Sequence, residues 1–272
     1  WPKIKLIHFS KLYLPFYIEQ LKREYPDLII RKTIDGKAGL EEILSDNRHI
    51  NIYSKQSFEV GGGSFLPWGL VYKYFPKDVN IDAQNIILEN ERLWQNYQSP
   101  LSGSLGKYQN LFLSDILRYY TLAHQEIALY EAKNDRLILA ASHLNEAKKL
   151  DFNDLDNYIL VAQVYIKDGK CTDADREINT MVKLDPDNNT TNYLKYLNYS
   201  LCLKDSVKAS ESFSLYAILT FLMGLVICLN SPIDGGFLKK LLDISELYLK
   251  FKKNKMICPL ELGGYYNLLY NK

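Results

Sequence analysis

Residues 121–154, TLAHQEIALYEAKNDRLILAASHLNEAKKLDFND, and residues 155–188, LDNYILVAQVYIKDGKCTDADREINTMVKLDPDN, follow one pattern at an offset of 34 positions. Ile127-Ala128 falls on Val161-Ala162, Ala140 on Ala174, Leu144 on Ile178, and Ala147 on Met181. Leu150 falls on Leu184, and LDFN at 150–153 on LDPD at 184–187. Each copy places a small residue in each of two helical segments: Ala128 and Ala140, then Ala162 and Ala174. Small side chains let paired helices approach closely, and larger neighbours fill the seam. The period predicts four antiparallel helices in two hairpins.

The pattern resembles the tetratricopeptide-repeat family. Its second copy matches through Tyr158, Val161, Ala162, Tyr165, Gly169, Ala174, Ile178 and Pro186. The first departs at His124, where an aromatic residue is usual, at Asp135 for the turn glycine and at Phe152 for the proline. The resemblance implies protein or peptide binding, with the first helix of each repeat lining a concave face. Carried over by register, that face is Leu122, Gln125, Leu129 and Lys133, then Asp156, Ile159, Gln163 and Lys167. The family's clamp for C-terminal carboxylates uses Lys, Arg and Asn at such places. Here Gln, Leu and Ile dominate, with Lys133 and Lys167 at the rim, so an apolar or intramolecular partner is expected instead.

Two repeats are too few to be stable, so capping helices are expected over 192–270, with Asn192–Leu203 opening a degenerate third repeat. Leu215–Leu229 (LYAILTFLMGLVICL) is an apolar run shorter than the roughly 20 residues that span a bilayer, and it predicts a buried core helix. A turn at Ser231–Gly236 and an amphipathic helix at Phe237–Phe251 follow. Upstream, helix is expected from Ile81, including Ala83–Tyr97 and about Tyr108–Ala132. The first eighty residues alternate strand and helix. Lys3–Phe9, Leu28–Ile34, His49–Ser54 and Gly69–Phe75 read as strands. One helix is expected between Ser10, as N-cap, and Pro26, and a shorter one around Leu40–Leu44. That order predicts a small parallel sheet. Gly61, Gly62 and Gly63 read as a flexible loop, because no phosphate-binding arrangement completes them. The expected fold is α+β and mostly α: an α/β domain at 1–80, then a helical-repeat domain at 81–272.

Composition narrows the partners. Hydrophobic residues make up 47%, as in ordinary folded proteins. Lys plus Arg is 33 against 32 acidic residues, so neither nucleic acid nor an anionic membrane surface is an expected partner. No signal-peptide pattern is present. The start at Trp1 without Met predicts a piece of a longer polypeptide. Cys171, Cys202, Cys228 and Cys258 lack metal-ligand spacing, so buried free thiols are expected, with distant pairing left open for an oxidising compartment. His8, His49, His124 and His143 form no metal pair, although register puts His124 and His143 on one hairpin. Asp151, Asp154 and Asp156 sit at the inter-repeat turn, where Asp favours turns and helix starts. No metal, cofactor or catalytic residue is expected.

The stretches KIKLIHFSKLYLPFYIEQLKREYPDLIIR at 3–31 and NIYSKQSFEVGGGSFLPWGLVYKYFPK at 51–77, followed by the repeats, carry a wider resemblance. Their order resembles the soluble tail of bacterial polytopic glycosyltransferase-like proteins of the GT-C class. That implies a non-catalytic, extracytoplasmic part of a membrane-anchored protein, with the parent's own membrane portion among its partners. Two alternatives stand beside it. One is a free-standing cytoplasmic tetratricopeptide adaptor. The other is an enzyme with its site at the C-terminal ends of parallel strands in the α/β segment.

Overall fold

The computed structural model describes residues 7–8, 11–31, 36–102 and 111–217. The strand expected at Lys3–Phe9 lies mostly outside them, as do Ser10, the end of Leu28–Ile34, and the helices and turn expected beyond residue 217. The chain divides into two compact units, Trp1–Ser99 and Pro100–Lys272.

In the first unit, α1 (Pro15–Glu24) starts at a proline whose missing N–H costs nothing at a helix start. Its N-cap is Leu14, not Ser10. Tyr17, Ile18 and Leu21 bury one face of α1 against Leu12, Leu28, Ile30 and Ile43. The last of these belongs to α2 (Gly36–Asp46). Leu28–Arg31 forms no strand. The amide of buried Asn47 takes the place of a neighbouring strand, accepting from Ile29 N and donating to Ile29 O, both at 2.8 Å. Alternating burial at Leu28 and Ile30 therefore comes from packing under a pinned, extended segment.

The sheet corrects the expected topology. Strands β1 (Tyr53–Ser54), β2 (Gly63–Trp68) and β3 (Val71–Pro76) are antiparallel, in the order β1-β3-β2. Between β2 and β3 lie only Gly69 and Leu70, and a two-residue turn can only fold the chain back on itself. Gly69 has φ +63, which a side chain resists. Strand β2, which starts at the last glycine of the expected loop, contains Pro67, which an edge strand tolerates. Gly63 is no flexible linker: a Cβ there would lie 2.3 Å from Phe75 O. Phe65 and Tyr74 turn one face of the sheet onto Leu44 of α2. Helix α3 (Ala83–Asn96) belongs to this unit and not to the helical one, which moves the boundary from 80 to Ser99. Its buried Asn90 donates to Pro67 O and accepts from Gly69 N, both at 2.8 Å, closing over the hairpin turn.

The second unit is helical: α4 (Leu111–Lys133), α5 (Leu137–Leu150), α6 (Leu155–Lys167) and α7 (Cys171–Leu184). Helices α4 and α5 pack as one hairpin and α6 and α7 as another. The 34-residue offset holds at the level of single backbone groups. Lys133 and Lys167 end equivalent helices, and Leu137 and Cys171 begin them. The turns are left-handed at Asp135 (φ 59) and Gly169 (φ 72). Asp tolerates this conformation better than most residues, so the first copy keeps the turn without glycine. Arg136 N donates to Glu131 O and Lys170 N to Tyr165 O, both at 2.9 Å. Ala128, Ala140, Ala162 and Ala174 are all fully buried. They sit in two cores, one around Leu144, Val161 and Val164, the other around Ile178, Met181 and Leu194.

Helix α8 (Asn189–Leu197) opens a third hairpin in the same register. Asp154 caps α6 by accepting from Asp156 N, and 34 positions later Asn188 caps α8 by accepting from Thr190 N. The register then slips by one. A π turn at Asn198–Cys202 extends α8, the left-handed residue is Lys204 (φ 56), and residues 206–217 form the next helix, α9. Buried Ala209 follows Ala174 at 35 positions, not 34. A disulfide joins Cys171, at the start of α7, to Cys202, at the end of the π turn, with Cα atoms 5.5 Å apart. These two are therefore not the free thiols expected from spacing: the π turn brings together residues 31 positions apart in the sequence.

Ala162 shares its core with Tyr158, Ile178 and Met181, leaving no room for a longer side chain. Ala162→Leu is expected to lower stability by about 1–3 kcal/mol in chemical denaturation, with helicity retained at low denaturant.

Candidate functional site

Helices α4 and α6 carry the eight positions of the expected groove, and the structure divides them. Leu122 is 44% exposed, Lys133 and Asp156 are exposed, and Leu129 is half-buried. Gln125, Ile159 and Gln163 are buried. Gln125 Nε2 donates to Asn157 Oδ1 at 2.8 Å and to Asp154 Oδ2 at 3.2 Å, tying α4 to the start of α6. Ile159 belongs to the second hairpin's core. Lys167 Nζ donates to Ala132 O at 2.8 Å and pairs with Asp135 at 2.9 Å, so it caps the C-terminal end of α4. Three of the eight expected positions are therefore buried, and Gln125 and Lys167 tie the two hairpins together. The open remainder is Leu122 and Lys133 on α4, where Tyr119 lies one turn before Leu122, and Asp156 in the first turn of α6.

Asp151 and Asp154 act as turn and cap residues. Asp151 Oδ1 accepts from Asn153 N and Asp154 Oδ1 from Asp156 N. Burial pushes the Asp154 carboxyl above the usual carboxylate range, against the hydrogen bond from Asp156 N, which lowers it.

A polar centre lies inside the first hairpin. His124 of α4 and His143 of α5 face each other with Nδ1 atoms 2.8 Å apart, and both are buried. One Nδ1 must donate and the other accept, so the pair carries a proton between the rings and cannot hold two. On the other side of His143, Nε2 lies 3.8 Å from Oε1 of Glu131, which is fully buried. Burial first, and the neighbouring His143 second, hold the His124 pKa down at about 3. His124 is therefore neutral at ordinary pH.

Glu131 was not singled out by its type or spacing. The repeat alignment contains the signal that finds it. His124, Glu131 and His143 occupy the positions of Tyr158, Tyr165 and Glu177. In the second copy these make ordinary bonds to the first: Tyr158 OH donates to Phe152 O in the turn between the hairpins, Tyr165 OH accepts from Asn145, and Glu177 pairs with Lys148. Three departures at aligned sites, two of them to histidine, converge on one place in the first hairpin.

Comparison with protein-family models, curated proteins and solved structures finds no match. What the site can do rests on its own geometry. A buried histidine pair can share and pass a proton, whereas the exposed side of α4 offers two apolar groups, Tyr119 and Leu122.

Two outcomes test the polar centre. Unfolded His124 titrates near 6.5 and folded His124 near 3, so the unfolded chain binds the extra proton between those values. Stability should therefore fall as pH drops below about 6.5, by up to ~1.4 kcal/mol per pH unit from this residue. In His124→Tyr, which installs the second copy's residue, the loss between neutral pH and about pH 5 should be shallower in urea denaturation. Dialysis of the protein against a strong chelator is expected to leave its melting temperature unchanged. A lowered value would place an ion beside His143 and Glu131.

Proposed function

We propose that the helical unit is a tetratricopeptide-like scaffold that binds a protein or peptide along the exposed side of α4. The observation that carries this reading is the 34-residue repetition of helix ends, left-handed turns, caps and buried alanines. Such arrays are built to present a continuous surface and contribute no reactive group of their own. Because Gln125, Ile159 and Gln163 are buried and Lys167 is engaged at the end of α4, the partner surface narrows to Tyr119, Leu122 and Lys133 on α4, with Asp156 on α6. A segment with an apolar anchor and a flanking acidic group suits Tyr119 and Leu122 with Lys133 three turns along the helix.

The Cys171–Cys202 bond supports a location outside the reducing cytosol, in line with the extracytoplasmic placement implied by the wider resemblance. The enzymatic alternative was built on the C-terminal ends of parallel strands. The sheet is antiparallel among the described residues, which removes that premise.

A photo-cross-linking residue at position 122, introduced in the native source, tests the binding face. Ile138 on α5, also strongly exposed, is the control position. The expected result is a discrete adduct from position 122 and none from 138. Equal labelling from both, or none from 122, overturns the assignment of the face.

A further inference from the structure

We propose that the Cys171–Cys202 disulfide is a redox-sensitive latch on the register of the third hairpin. Three independent features meet at this bond. The first is the slip: α8 starts in the 34-residue register, yet Lys204, Ala209 and α9 stand one residue late. The second is where the extra residue goes. It is absorbed in the π turn, with Leu203 N donating to Asn198 O and Asp205 N to Tyr199 O, both at 2.8 Å. Single π turns inside α-helices are rare and often mark functional positions. The third is an unsatisfied group. Asn198 is fully buried, and its Nδ2 donates to Cys171 O at 3.3 Å. Its Oδ1 is buried with no hydrogen-bond partner among the described residues. A buried acceptor without a donor favours any arrangement that rehydrates it.

The bond opposes that release. It ties the end of the π turn to the first residue of α7 and keeps Asn198 inside. Both cysteines are partly open to solvent. A dithiol reductant supplies the electrons. Its thiolate attacks Sγ of Cys202, the Cys171–Cys202 bond breaks, and Cys171 leaves as a thiolate at the positive end of a 14-residue helix. The second thiol of the reductant then displaces Cys202. Two electrons and two protons end on the two cysteines, and the reductant leaves as its own disulfide. With the latch open, α8 can continue in α geometry through Cys202 and pass the extra residue to the linker before α9. One residue of an α-helix is about 100° of rotation, so α9 changes the face it presents. The device acts on the third hairpin and does not depend on what α4 binds.

Amide hydrogen exchange on the full chain tests it, with three samples: purified without reductant, treated with dithiothreitol, and Cys202→Ser. Peptide mapping of the first sample should recover Cys171 linked to Cys202. Residues 198–217 should exchange about tenfold faster or more in the other two, with residues 121–184 unchanged. A variant lacking Ser200, which restores the 34-residue spacing, should be protected over the same segment with or without dithiothreitol. The proposal fails if the cysteines are recovered as free thiols from the first sample. It fails equally if exchange over 198–217 is the same in all samples, if the loss of protection spreads over 121–217, or if the Ser200 deletion stays sensitive to reductant.

Discussion

The close approach of helices at four fully buried alanines is the constraint on which the helical unit depends. Ala128 with Ala140, and Ala162 with Ala174, are the small residues through which α4 meets α5 and α6 meets α7. At that separation the neighbours are fixed as well. Ile127 and Val161 are shut away, Leu144 and Ile178 fill the seam, and Ala147 and Met181 close it. A three-residue turn must then return the chain at a set angle, which is why left-handed residues recur at Asp135 and Gly169. Helix ends, turns and caps recur at one spacing because all of them answer to the same packing distance.

Within this framework the polar side chains divide by where they point. Gln125 and Lys167 work across the seam between hairpins: Gln125 donates to side chains at the start of α6, and Lys167 to Ala132 O near the end of α4. Their position in a repeat suggests a ligand groove, but their bonds are internal. The histidine pair is a different case. In the second copy the same sites are held by a tyrosine, bonded to Phe152 O, and by a glutamate ion-paired with Lys148. In the first copy the equivalent packing is made by two rings sharing a proton. Burial holds His124 neutral there.

How much was legible in the sequence follows from how local each signal was. The hairpins of the second unit were readable, because a 34-residue period with alanine in each helix admits few other packings. The sheet was not. Leu28 and Ile30 alternate like a strand, but Asn47, seventeen positions beyond Ile30, takes the place of the pairing strand, and nothing around Leu28 announces it. Strand β2 was hidden by its own composition. Glycines at 61–63 and Pro67 signal loop, and only the edge position and the contact of Gly63 with Phe75 make them compatible with a strand. The candidate site was half legible. Register found α4 and α6 and put His124 and His143 on one hairpin. It could not show which groove residues would be used up in holding the hairpins together.

The disulfide illustrates the same limit from the opposite side. Cysteines at 171 and 202 have no recognisable spacing, because in a strict 34-residue repeat Cys202 would not end a π turn. One inserted residue changes both facts together: it lengthens the last turn of α8 and places Cys202 against the start of α7. A repeat alignment that allows no gap treats that insertion as decay of the pattern. In three dimensions it is a local change with a definite partner, followed by a helix that resumes the pattern one residue late, with Ala209 buried where the register requires a small side chain. The departure from the repeat is therefore a feature of the fold, and the residues that carry it are those that join the third hairpin to the second.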